Sequence, residues 1–198
     1  NLNRKRFTEA GRILSETARF LRSKGLESYA ACIRHCYYDI RFKSELIQNA
    51  LEIPVFGVGW DKYNLMYYST MIKNELRKIR KADVDYLMYH QISYLKEVLK
   101  DKLAVSIGVT NVGKMGNEPY YENISEFEKD IGILKEIGIN SFSLFSLDGI
   151  IEKNKLLGYL AAMERAKPYK PAICSRLIRN EEISELLFGI GKLYYRLR

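Results

Sequence analysis

Three carboxylates stand where this chain could do acid–base chemistry: Asp61, Glu118 and Asp148. Asp61 follows Trp60 at the end of one apolar run. Asp148 precedes Gly149 at the end of another. Glu118 lies in a Gly/Asn-rich loop, with Tyr120 and Tyr121 just behind it. Cleaving a glycosidic bond takes two such groups, one protonated to feed the leaving oxygen and one ionised as base or nucleophile. Trp60, Tyr120 and Tyr121 would then offer flat apolar faces to sugar rings. His90 and Gln91 end a third run, where the imidazole could hold or pass a proton and the amide could bind substrate; Asn111 opens the loop. Each has a plainer reading: an Asp after a strand caps the next helix, a loop Glu is solvated, and a His packs as a structural residue.

Other constellations are weaker. Gly113-Lys114-Met115-Gly116 has the glycines that let backbone N–H groups approach an anion, and Lys114 adds positive charge. It lacks the GxxxxGK[ST] spacing and does not lead directly into a helix. Cys32, His35 and Cys36 share a helical face at i, i+3, i+4, but no fourth ligand is evident and no HxH or HExxH occurs, so no metal and no cofactor is expected. None of the strands carries a buried Lys of the kind a Schiff-base enzyme uses. Asn123-Ile124-Ser125 fits a glycosylation sequon, though helix capping explains it better.

The elements that must hold these residues follow from periodicity. Helices are predicted over 8–24, stopped by Gly25, and over 27–50 as one long helix or two, where Tyr29, Ile33, Cys36, Tyr37 and Ile40 recur at helical spacing. Strands are predicted at Val55–Trp60, Val84–Tyr89, Leu103–Thr110 and Ser141–Leu147, with helices over 63–81, 93–100, 124–138 and 149–166. Ser125 and Glu128 suggest a capping box at the start of the third of these. A last amphipathic helix, capped by Asn180, carries Ile183, Leu186, Leu187, Ile190, Leu193, Tyr194 and Leu197 on one face. The organisation expected is a helical flank over 1–51, four βα units over 52–166, and a linker with a terminal helix over 167–198, forming one continuous domain. Apolar residues on both strand faces and the lack of hairpin turns indicate a parallel sheet covered by helices. Working residues of such sheets gather at the carboxyl ends of the strands.

The net charge of +8 is uneven. Residues 1–50 hold ten basic and five acidic side chains, and residues 165–198 hold eight and three. The strand-rich middle is slightly acidic. A nucleic-acid binder concentrates positive charge on its working face, so nucleic acid is not the expected partner. No run reaches the roughly 18 to 20 apolar residues that span a bilayer. Three cysteines make no disulfide framework, which suggests a reducing, cytoplasmic setting. Two Gln among many Lys, Glu, Ile and Tyr is a thermophile-like composition. Because the chain starts at Asn1, a fragment of a longer protein is expected.

A strand ending in Trp60-Asp61, one ending in His90-Gln91, one followed by a long loop and one followed by Asp148-Gly149 resemble the C-terminal half of a TIM-type (β/α) barrel over about residues 52–165. The resemblance is loosely to glycoside hydrolases and is one of fold style. It implies a half barrel or barrel fragment whose open edges pair with a second copy or with the missing half. Large groups of sugar-cleaving barrels carry a Glu at the end of the seventh strand. Here Thr110-Asn111 takes that place, a departure that puts an ordinary retaining mechanism in question. The leading expectation is a carbohydrate-active domain with Asp61, Glu118 and Asp148 as carboxylates, assisted by His90. A phosphosugar enzyme using the 113–116 loop and a non-catalytic assembly domain are the alternatives.

Overall fold

The computed structural model describes residues 4–75, 81–110, 118–152 and 155–175. In chain order the elements are α1 (Arg4–Ser23), β1 (Tyr29–Ile33), α2 (Cys36–Arg41), α3 (Leu46–Ala50), β2 (Lys62–Met66), α4 (Ser69–Glu75), α5 (Lys81–Leu99), β3 (Leu103–Gly108), α6 (Ile124–Ile137), β4 (Phe142–Phe145), α7 (Leu147–Glu152) and α8 (Leu156–Arg165). The four strands form a parallel sheet in the order β1-β2-β3-β4, flanked by helices, as in part of a TIM-type barrel. Among the described residues no helix is long and apolar enough to cross a membrane.

The chain divides into two compact units, and the division falls within β2. The first contains the described residues up to Asn64. Its strand β1 alternates exposed and buried residues, as a half-covered strand must. Ser28 O accepts the amides of Asp61 and Lys62, which sets β2 beside β1. Asp39 caps α3 by accepting the Ile47 and Gln48 amides, with Ser44 Oγ as a third donor. The second unit, Leu65–Cys174, holds the larger core. Val105 and Ile107 of β3 are fully buried, together with Met88 and Ile92 of α5 and Phe127, Ile131 and Ile133 of α6. Helix α6 starts at Asn123, whose side chain accepts the Glu126 amide, and stops at Gly138 in the left-handed region. The cap is therefore Asn123, with the Glu126 carboxylate accepting the amide of Glu122 just before it, and not a box of Ser125 with Glu128.

The predicted alternation of four strands with helices is present, but the first two units are phased differently. The stretch expected as one long helix or two over 27–50 does hold two helices, α2 and α3, but opens with β1. Val55–Trp60 is no strand: Gly57 and Gly59 have φ of 89° and 87°, and Gln48 Oε1 takes the Val55 and Phe56 amides that a ladder would need. The strand is Lys62–Met66 instead, inside the segment expected to be helical, with Tyr63 and Leu65 buried and their neighbours half-exposed. Val84–Tyr89 is not a strand either. Val84, Leu87, Met88, Gln91, Ile92 and Leu95 are all buried, and that i, i+3, i+4, i+7, i+8, i+11 series is one face of α5. The terminal helix expected after Asn180 lies outside the described residues.

Candidate functional site

Strands β3 and β4 pair in parallel with Ser106 opposite Ser143 and Gly108 opposite Phe145. Val105 and Ile107 point to one face of the sheet, so Ala104, Ser106 and Gly108 point to the other. On that second face the Ser143 hydroxyl donates to Ser106 Oγ at 3.0 Å. At the strand ends the Thr110 hydroxyl donates to Ser146 O at 2.7 Å, while the Ser146 amide donates back to Thr110 Oγ1 at 3.1 Å. Tyr67 and Tyr68 follow β2. The Tyr67 amide donates to Ser106 O, and the Tyr68 ring stacks on Phe145 with centroids 5.5 Å apart.

Glu118 reaches the same place from the loop after β3. Burial pushes the Tyr68 hydroxyl above its ordinary value; a hydrogen bond with Ser106 opposes the shift, and the Glu118 carboxylate adds to it. Glu118 itself is half-buried. Its Oε2 is shut away from solvent and has no hydrogen-bond partner among the described residues. Carboxylate oxygens removed from water are normally satisfied, so this atom is the feature of the rim that calls for an explanation.

The other two expected carboxylates have surroundings unlike that of Glu118. Asp61 precedes β2 and so lies at the amino end of its strand, where the expectation put it at the carboxyl end. Both its oxygens are engaged: Oδ2 accepts the Ser28 amide and hydroxyl at 3.0 and 2.7 Å, and Oδ1 accepts Arg22 Nε and Nη2 at 2.9 and 2.6 Å. Those two Ser28 bonds, followed by Arg22, hold its carboxyl at about 2, so it stays ionised and serves as a clamp between α1, β1 and β2. Trp60 shares that amino-end position and is half-exposed. Asp148 is exposed in the first turn of α7, where a negative charge favours the helix.

His90 and Gln91 sit within α5 and close no strand. The His90 ring stacks on Tyr86 one helical turn earlier, and Gln91 is buried with Oε1 accepting the Tyr67 hydroxyl at 3.2 Å. Tyr121 is 2% exposed, which removes it as a sugar platform: its hydroxyl donates to Asp130 Oδ2 at 2.7 Å, and its edge meets Phe127. Tyr120 is exposed. Asn111 and Lys114, with the rest of the 113–116 loop, lie outside the described residues. Cys32 and Cys36 are buried thiols, pushed up to about 12 and about 11 chiefly by burial. Among the described residues no group of three or more His, Cys, Asp and Glu is arranged to hold a metal.

Sequence reasoning missed Tyr68, Ser106 and Ser143. Tyr68 was hidden by the helix expected over 63–81; the alternation of Tyr63, Leu65 and Tyr67 could have exposed it. In the first unit, a groove of about 220 Å³ runs between α1 and residues 54–58. Its Thr8, Arg12 and Ser15 make their hydrogen bonds within α1, and Glu45 also lines it.

No protein-family model and no curated protein matches the chain. Among solved structures, it is similar to the glycoside hydrolase domain of PgaB (BpsB) from Bordetella bronchiseptica, with a TM-score of 0.53 and 11% identity. The match covers 83% of this chain and 44% of that one, so the chain spans less than half of its neighbour's length. At that identity the likeness is one of fold.

Proposed function

We propose that this chain is part of a carbohydrate-active barrel in which Glu118 is the carboxylate that meets the sugar. The observation that carries the reading is the buried Glu118 Oε2, which has no hydrogen-bond partner among the described residues, beside Tyr68 at the carboxyl end of the sheet. A carboxylate oxygen left unpaired away from water costs about 1–3 kcal/mol or more, and a donating sugar hydroxyl would supply the missing bond. Tyr68, backed by Phe145, and the exposed Tyr120 offer aromatic faces; the Ser106–Ser143 pair offers hydroxyls. The fold's likeness to a glycoside hydrolase domain supports the same class.

Hydrolysis is the finer reading. It needs a second carboxyl within about 5–10 Å of the first. Asp61 is committed elsewhere, which leaves Asp148 in this unit, or a group supplied by the rest of a barrel. Calorimetric titration of the full chain with neutral, amino and acidic oligosaccharides tests the reading. Binding by the wild type that weakens at least about tenfold in Glu118→Gln, the loss of one charge-assisted hydrogen bond, is expected. Equal binding by the variant, or none by the wild type, overturns it.

One observation favours assembly as a second reading. Leu147, Ile151 and Leu157 of α7 and α8 are 58%, 62% and 81% exposed, more apolar surface on two short helices than a monomer usually shows. Light scattering on the purified chain should then report a mass above the 23.1 kDa of one copy.

A further inference from the structure

The loop that carries Glu118 and the turn that carries Tyr68 are tied to a single atom. Tyr121, three residues beyond Glu118, donates its amide to Val109 O at 2.9 Å and its hydroxyl to Asp130 Oδ2 at 2.7 Å. Ser69, next to Tyr68, donates its hydroxyl to the same Asp130 Oδ2 at 2.5 Å. All three side chains are buried: Tyr121 is 2% exposed, Asp130 3% and Ser69 1%. Asp130 belongs to α6, whose flanking Phe127 and Ile131 are fully buried, so the anchor cannot drift with the loop. Thr70 fixes the other side of the turn, donating to Gly108 O and accepting the Val109 amide, both at 3.0 Å.

Here one oxygen receives a donor from each of the two segments that meet at the rim. We infer that Asp130 is a positioning residue: through Ser69 and Tyr121 it sets the spacing between Tyr68 and Glu118. The inference deepens the sugar-site reading and rests on it for its significance, though its geometry can be tested without any sugar.

The test uses tyrosine ring-carbon NMR on the full chain, following the titration of the Tyr68 hydroxyl as pH is raised. Glu118→Gln sets the reference, since removing the neighbouring carboxylate lowers the pH at which Tyr68 loses its proton. Asp130→Asn and Tyr121→Phe should move the Tyr68 titration in the same direction, because the loop no longer holds Glu118 against it. Ile92→Val trims the core away from the network and should leave Tyr68 unmoved. Should Asp130→Asn fail to fold, Tyr121→Phe decides, as it keeps the ring and loses one hydroxyl. An unchanged Tyr68 titration in the folded variants, or an equal shift in Ile92→Val, overturns the inference. A wild type that binds no sugar defeats the sugar reading alone, and the Tyr68 titration still decides this one.

Discussion

Thr110 and Ser146 close the ends of β3 and β4 with a reciprocal pair: one hydroxyl donates to the Ser146 carbonyl and accepts the Ser146 amide. Tyr159 adds its hydroxyl on the Thr110 carbonyl at 3.4 Å. Thr110 thus ties the last two strands where the candidate rim begins. Thr110→Val keeps the shape and removes both side-chain bonds at a site 3% exposed. A loss of about 1–3 kcal/mol in urea unfolding is expected, because the Ser146 amide and carbonyl are left without that partner. A neutral change would mean that water replaces the hydroxyl.

Asp61 should mark the acid limb of stability. Its folded value of about 2 lies below the ordinary 3.8. A lowered folded value stabilises fully above the unfolded value and is lost as pH falls through the folded one. The gap in urea midpoint between wild type and Asp61→Asn should be widest near neutral pH and narrow as pH drops from about 4 towards 2. A gap that does not vary with pH would show that the Arg22 and Ser28 bonds do not depend on the charge.

Gly132 tests packing against propensity. In the middle of a helix, Gly→Ala normally stabilises by about 1 kcal/mol. Here an added Cβ would come 2.7 Å from Lys167 O and 3.1 Å from Tyr169 Cβ, and the Tyr169 amide donates to Gly132 O. The 167–169 segment crosses α6 at its glycine. Gly132→Ala should therefore destabilise, by about 1–3 kcal/mol, since backbone cannot swing aside as a flexible side chain can. A thermal melt reads the sign.

The second half of the fold was legible in the sequence because its signals are local. β3 is an apolar run interrupted only by Ser106, α6 has a cap, a stripe and a terminal glycine, and β4 follows directly. The first half misled because its decisive partners are distant in sequence. β1 becomes a strand by bonding to residues 61 and 62, and 55–60 is denied strand structure by a Gln48 oxygen. Tyr29 and Ile33 fit both periods, while Cys36 and Tyr37 do belong to a helix, α2. Once that phase slipped, Asp61 moved from the carboxyl to the amino end of a strand, and His90 and Gln91 moved into α5. Glu118 needed only its place in the loop after β3, which the sequence did show. Tyr68 was within reach only through the alternation of Tyr63, Leu65 and Tyr67, and Asp130 could not be read, since its significance lies in the two hydroxyls that reach it from distant segments.

A sugar held by the Glu118 carboxylate and Tyr68 must perturb both together. The most direct measurement is an NMR titration of the full chain with the oligosaccharide bound most tightly in calorimetry. The resonances of Tyr68, Ser106, Glu118 and Tyr120 should shift together and saturate, and Glu118→Gln should abolish the joint shift. Saturation elsewhere with these four unmoved, or no shift with any oligosaccharide, would contradict it.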